Sequence, residues 1–179
     1  MPRIGISLTS SYNVDDAREG ARRMLERTRA ANRAGLDSLF VGDHHAVPSP
    51  YYQNTPMLAR LLAEWDARPA GALYLLPLWN PVLVAEQTAT LACIAEGPFI
   101  LQCGLGRGRA QFAAMGADLR YRPSAFEESL GMLRALWAGE TVSGTRRFNN
   151  RDASISPLPP ASIEVWIGAG APVAIDRAA

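Results

Sequence analysis

The sequence of 179 residues contains no lysine, so all 18 of its basic side chains are arginines. This absence excludes the chemistry of a lysine Schiff base and the lysine of a phosphate-binding loop. Seventeen acidic side chains nearly balance the arginines and leave a net charge of +1. Because nucleic acids and anionic membranes are bound through an excess of positive charge, we expect neither as a partner.

Cysteines and long apolar runs are also scarce. The two cysteines, Cys93 and Cys103, lie in apolar surroundings, which favours free thiols over a disulfide. No apolar run reaches the ~18 residues that cross a bilayer, and no signal-peptide pattern opens the chain. No group of histidines, cysteines and acidic residues has the spacing of a metal site. We therefore expect a cytoplasmic protein without a metal ion.

Short apolar stretches alternate five times with amphipathic patterns, which is typical of a parallel α/β sheet. Two architectures fit this alternation. A five-stranded open sheet of the flavodoxin type matches the length, whereas a TIM (β/α)8 barrel needs roughly 250 residues and fits only with units missing. The predicted strands cover residues 3–8, 38–41, 71–76, 99–103 and 163–167, and the main predicted helices cover 14–31, 56–65, 81–94 and 126–137.

Both histidines follow the second predicted strand, in the sequence Asp43-His44-His45. In either architecture, a residue placed directly after a parallel strand lies at the edge of the sheet where ligands bind. An imidazole beside a carboxylate suits proton transfer or the binding of an anion. The alternative is a purely structural role in the loop.

Two glycine-rich loops are candidates for binding a ligand. The loop of residues 104–109 lacks the spacing of a dinucleotide fingerprint, so it predicts close backbone approach with Arg107 facing an anion, or else an ordinary loop with solvated arginines. Residues 168–173 form a strand-to-helix turn of small residues, whose amides suit a phosphate and whose size equally suits tight packing. Arg122 is a candidate for the positive partner of that phosphate.

Several of these motifs together resemble the bacterial luciferase-like monooxygenase family, in its order and spacing and over essentially the whole chain. The resemblance implies a (β/α)8 barrel, and it favours that architecture over the open sheet. It also implies that residues 1–179 form a single barrel domain containing the first five βα units, with the carboxyl-terminal units missing. The stretches that carry the resemblance are residues 36–45, 76–81, 85–88, 104–108, 126–140 and 165–168.

The resemblance implies roles for individual residues. It places His44, with Asp43 beside it, near the isoalloxazine ring of a flavin as the catalytic residues. It places a non-proline cis peptide behind that ring, at Leu73 and Tyr74. The remaining cofactor contacts that it implies are Gly104, Gly106 and Arg107 along the ring, and Arg122 with the amides of Gly170 and Val173 at the phosphate.

Three functions follow as expectations. The first is a flavin-dependent monooxygenase that uses reduced FMN and O2 on a small organic substrate. The second is an oxidoreductase that transfers a hydride from the reduced deazaflavin coenzyme, and the third is a non-catalytic remnant, either flavin-binding or structural, left by truncation. Because five strands leave both sheet edges open, we expect a fragment, a truncated product or a homo-oligomer that covers those edges.

Overall fold

The computed structural model describes residues 2–169 and residue 175. Along these residues, five strands alternate with α-helices, and two short 3-10 turns cover Leu76–Leu78 and Leu119–Tyr121. The elements are β1 (Gly5–Leu8), α1 (Ala17–Arg33), β2 (Ser38–Val41), α2 (Asn54–Leu62), β3 (Ala70–Tyr74), α3 (Pro81–Ile94), β4 (Phe99–Cys103), α4 (Arg109–Ala114), α5 (Arg122–Trp137) and β5 (Glu164–Ile167).

The five strands form one sheet in the order β1-β2-β3-β4-β5, and every neighbouring pair is parallel. An open doubly wound sheet has a point where the strand order reverses, because its helices cover both faces. The described sheet has no such point, and its strands follow one another as in a (β/α) barrel. The strand order therefore decides between the two architectures in favour of the barrel type.

Strand residues alternate between two faces of the sheet. The outward series packs against the helices and forms the core, in which Leu39, Ala72 and Leu101 are fully buried. The helices contribute fully buried residues such as Met24 and Leu133 to the same core. The helix-facing side therefore supplies the apolar burial that stabilises the fold.

The inward series forms a concave face that curls strongly. The rings of Phe40 on β2 and Trp166 on β5 lie 5.2 Å apart between centroids, although β3 and β4 stand between their strands. Three steps in a flat sheet would separate them by ~14 Å, at the usual ~4.8 Å per step. The sheet therefore has the curvature of a barrel wall. Ser7, Ser38, Phe40, Gln102 and Trp166 help to line a cavity of about 860 Å³ on this face.

Local sequence signals set the helix ends. Asp16 precedes α1, and its side chain accepts a hydrogen bond of 2.9 Å from the Arg18 amide. Asn80 plays the same part at α3 and is followed by Pro81, which is well tolerated in a first helical turn. Gly35 follows α1 with a φ of 71°, a conformation that glycine adopts without strain.

The structure also bears on the predicted free thiols and on the prediction that no segment crosses a membrane. Cys93 and Cys103 are free thiols, the first exposed and the second buried. Among the described residues, none of the helices is both long and apolar enough to cross a membrane.

Candidate functional site

The site lies at the carboxyl edge of the sheet, where the loops after β2, β3 and β4 meet. Asp43 follows β2, and its side chain is fully buried. One carboxylate oxygen, Oδ2, accepts hydrogen bonds of 2.8 Å from the Leu75 amide and from Trp79 Nε1. Asp43 therefore ties the loop after β2 to the segment that follows β3.

Asp43 also faces His45. The distance from Asp43 Oδ1 to His45 Nε2 is 3.0 Å, which is close enough for an ion pair. The two atoms are not aligned for a hydrogen bond, and neither of them has another hydrogen-bond partner in the part of the chain that the structure describes. The His45 amide donates a hydrogen bond of 2.9 Å to Gln111 Oε1 on α4, and the His45 ring lies edge-on to Trp79. His45 is thus an interior residue that braces the loop.

His44 lies between these two anchored residues and has a different environment. Its side chain is half-buried, and its ring packs against Tyr51 with 5.7 Å between centroids. The His44 carbonyl accepts a hydrogen bond of 3.1 Å from Gln53 Nε2, which fixes the backbone at this point. His44 is therefore a half-exposed imidazole on a rigid backbone at the carboxyl edge.

Glycines continue the inward series of three strands. Gly42, Gly104 and Gly168 directly follow β2, β4 and β5, and alternation turns all three toward the concave face. Gly104 and Gly168 remain in register, because their amides donate to the Tyr74 and Cys103 carbonyls of the neighbouring strands. These three positions leave the concave face without side chains at the carboxyl ends of its strands. We call this end of the face its carboxyl mouth. Leu73, on β3, is the apolar residue beside these glycines.

The structure overturns one expectation at the end of β3. The cis peptide bond in the described residues is Ser156–Pro157, so the bond between Leu73 and Tyr74 is trans and the predicted non-proline cis peptide is wrong. The Tyr74 side chain turns to the helices, where its hydroxyl lies 2.6 Å from Thr55 Oγ1 and burial raises its pKa. Of these two predicted cofactor contacts, only Leu73 therefore presents its side chain to the mouth.

Cys103 faces the helices as well. It is fully buried, and burial raises the pKa of its thiol to about 12. A thiol that stays protonated is a poor nucleophile. Cys103 therefore serves the core and not the mouth of the sheet.

The loop after β4 carries the predicted contacts Gly106 and Arg107. Gly106 has a φ of 69°, and its carbonyl accepts a hydrogen bond of 2.9 Å from Arg122 Nη1 at the start of α5. Arg107 is exposed, while Arg122, Arg109 and Arg120 line a neighbouring depression of about 510 Å³. The structure thus joins Arg122 to the glycine loop, beside a depression that three arginines and the carboxylate of Asp118 line.

Two of the predicted contacts, Gly170 and Val173, lie outside the described residues. Conversely, the structure adds Tyr51 and Gln111 to the neighbourhood of the histidines. Tyr51 belongs to a proline-rich loop and Gln111 to a short helix, and neither carries a motif that marks it in the sequence. Only their contacts across the chain reveal them.

Known proteins match this chain over nearly its whole length. The family model for luciferase-like monooxygenases matches residues 3–179. A curated relative from Beutenbergia cavernae, an F420-dependent glucose-6-phosphate dehydrogenase, is 31% identical over 93% of this chain and 52% of its own length. A second enzyme of that name, from Rhodococcus erythropolis, is 29% identical with the same coverage. The chain spans about half the length of the curated relatives it matches.

Solved structures agree on the fold. An F420-dependent secondary alcohol dehydrogenase in complex with an F420-acetone adduct has a TM-score of 0.82 at 21% identity, over 98% of this chain and 55% of that one. A monooxygenase from Streptomyces bottropensis has a TM-score of 0.76 at 20% identity, over 93% and 53% of the two chains. The strand order, the curvature of the sheet and the family match lead to one conclusion. The chain belongs to the luciferase-like monooxygenase family.

Proposed function

We propose that this protein is an oxidoreductase that holds the ring system of a flavin-type cofactor at the carboxyl mouth of its sheet, and that the cofactor is the deazaflavin F420. The observation that carries the proposal is the glycine-lined mouth beside the anchored Asp43-His44 segment. A flat, tricyclic ring needs a space of that kind on a rigid wall.

The described residues give no steric reason for two of the glycines. A Cβ on Gly104 would lie 3.7 Å from Leu75 Cδ2, and one on Gly168 would lie 3.6 Å from the Cys103 oxygen, both ordinary contacts. Neither residue has a positive φ. Alanine would therefore fit at both positions in the described structure. The missing side chains leave room in the mouth, as a bound ring would require.

The residues around this space have separable tasks. When bound, the cofactor would supply the two-electron redox chemistry, taking a hydride from an alcohol as oxidised F420 or giving an electron pair to a substrate or to oxygen in its reduced form. His44 is placed to give or take a proton at the mouth, because imidazole exchanges protons readily near neutral pH. Asp43 fixes the backbone of His44 through the Leu75 amide. Arg122 stays our proposed phosphate contact, together with the Gly170 and Val173 amides.

The curated relatives favour F420 over FMN, because their names describe F420-dependent dehydrogenases. The family description favours a second candidate, a monooxygenase that uses reduced FMN and O2 on a small organic substrate. A non-catalytic remnant, either flavin-binding or structural, is the third candidate.

Binding and turnover separate the three candidates. Tryptophan fluorescence of the full chain reports binding, because Trp79 and Trp166 lie near the site. We expect F420 to quench this fluorescence at lower concentrations than FMN. F420 reduction by an alcohol or a sugar phosphate supports the first candidate, and FMN-dependent oxygen uptake supports the second. Binding without either activity supports a flavin-binding remnant. Tight binding of neither cofactor supports a structural remnant and contradicts the first two candidates.

His44→Ala tests the residue assigned to proton transfer. We expect it to lower kcat on the order of 10²–10⁴-fold, as the loss of a general acid or base does, with little change in cofactor affinity. Unchanged turnover would remove His44 from the mechanism.

A further inference from the structure

The orientation of the His44 imidazole depends on one neighbour. Within the described residues, this ring makes no hydrogen bond or ion pair, although the peptide group that follows it is anchored through both the His44 carbonyl and the His45 amide. Its aromatic contact is Tyr51, with the two ring planes inclined by 46°. The backbone contacts place the His44 Cα, whereas the packing against Tyr51 restricts the direction of the imidazole.

Tyr51 is itself held from two directions. Its backbone pairs with Ser11 in an isolated antiparallel bridge, and the next amide, of Tyr52, donates a hydrogen bond of 2.8 Å to the Ser10 carbonyl. Its hydroxyl lies over Gly42, where a Cβ would stand 2.7 Å from the phenol oxygen. The loop after β1 thus supports the Tyr51 backbone, and the bare surface of Gly42 accommodates its hydroxyl.

We propose that Tyr51 is a positioning residue for His44, and that Gly42 lacks a side chain in order to admit the Tyr51 hydroxyl. The inference rests on the proposed function, in which His44 acts on the bound ligand. Restricting an imidazole to one direction matters because small misplacements of a reacting group cost large factors in rate. Burial, with the nearby Asp43 carboxylate, raises the pKa of Tyr51, so the phenol stays neutral beside the imidazole.

A spectroscopic test is possible because the chain has two histidines. NMR spectra of the full chain, selectively labelled at the imidazoles, resolve both rings, and His44→Gln assigns them. We expect Tyr51→Leu to shift and broaden the His44 signals while the His45 signals keep their positions, because the His45 ring contacts Trp79 instead. Unchanged His44 signals, or an equal change in His45, would overturn the proposal.

A double-mutant cycle tests the part assigned to Gly42. Gly42→Ala displaces the phenol, so we expect it to shift the His44 signals in the wild-type background and much less in the Tyr51→Phe background. Gly131→Ala is the control, since no described residue outside its own helix turn has an atom within 4 Å of the added methyl group. Equal effects of Gly42→Ala in both backgrounds would show that the hydroxyl is not what Gly42 accommodates.

Turnover completes the test. Because it misplaces the imidazole, Tyr51→Leu should lower kcat about tenfold or more with KM nearly unchanged, and Tyr51→Phe should recover most of that loss. A rise in KM with kcat unchanged would contradict the proposal that Tyr51 acts by positioning His44. If the wild-type protein binds neither F420 nor FMN, the proposed function fails, while the two imidazole spectra still decide the role of Tyr51.

Discussion

Asp43 joins the loop after β2 to the segment after β3 through one buried carboxylate. It accepts hydrogen bonds from the Leu75 amide and from Trp79 Nε1, and it faces His45. A buried acceptor with two donors is costly to remove, because the donors keep their desolvation penalty without a partner. The integrity of the whole edge therefore depends on this side chain.

We expect Asp43→Ala to lower the free energy of unfolding by about 2–4 kcal/mol, because two N–H groups lose their acceptor. Asp43→Asn keeps an acceptor oxygen and should cost less. Urea denaturation of the three proteins measures both differences. Equal stability of Asp43→Ala and wild type would show that Asp43 does not hold the edge together.

At this scale, sequence reasoning reaches only part of the site. The position of Asp43 and His44 directly after a buried strand predicts that they lie at the carboxyl edge, and the structure places them there. Tyr51 can be identified as a site residue only from the structure, because the pairing of its loop with the loop after β1 is a contact that no local sequence pattern predicts. The direction of Tyr74 follows from strand alternation, whereas the predicted cis peptide came from resemblance and is wrong.

Among the elements, β3 shows how a side chain can end a strand. The apolar pattern predicts a strand over residues 71–76, but β3 covers Ala70–Tyr74. The Leu75 amide donates to the Asp43 carboxylate and not to a neighbouring strand, so the ladder stops there. Similarly, α2 begins earlier than predicted, at Asn54, whose buried side chain donates to the Leu73 carbonyl. Helix and strand types follow from periodicity, whereas these ends depend on tertiary hydrogen bonds.

Gly71 on β3 permits both the close approach of β4 and the curvature of the sheet. A Cβ at this position would overlap the Ile100 carbonyl oxygen and crowd the Phe40 ring. We expect Gly71→Ala to destabilise the protein by about 1–3 kcal/mol, the usual cost of overpacking a rigid core. The comparison is with Gly131→Ala, whose methyl group lies more than 4 Å from the other described elements. Thermal denaturation that does not distinguish the two variants would refute the close contact at Gly71.

Glu64, just after α2, links that helix to α1. It accepts hydrogen bonds from Arg29 and Arg60, which lower the pKa of its carboxyl from 4.5 to about 2. A carboxyl group whose pKa is lower in the folded state than in the unfolded state stabilises the protein at pH values above the unfolded pKa. This stability is lost as the pH falls toward the folded pKa.

Glu64→Gln should therefore lower Tm at neutral pH, and the difference from wild type should shrink as the pH falls from 4.5 toward about 2. Glu140→Gln, at an exposed position, is the matched control. Tm values measured across this range check the prediction. A difference that is independent of pH would mean that the charge of Glu64 does not link the helices.

At the scale of the whole molecule, alternation of strands and helices leaves two architectures, and long-range pairing separates them. The sequential strand order and the contact between Phe40 and Trp166 are properties of the folded chain that periodicity does not contain. The large cavity on the concave face reaches toward the amino ends of the strands, where Pro69 and Pro98 line it. Ligands of parallel α/β proteins bind at the opposite, carboxyl ends, which is where we place the site.

If the glycine-lined mouth holds the cofactor ring, methyl groups added there weaken cofactor binding, and titration of a double variant with the cofactor measures this effect. Gly104→Ala with Gly168→Ala adds two methyl groups that the described structure accommodates, so Tm should be unchanged. We predict that F420 binds the wild-type chain and that the double variant binds it at least about tenfold more weakly, because the methyl groups occupy the space of the ring. Equal affinity of the two proteins for F420 would contradict the account.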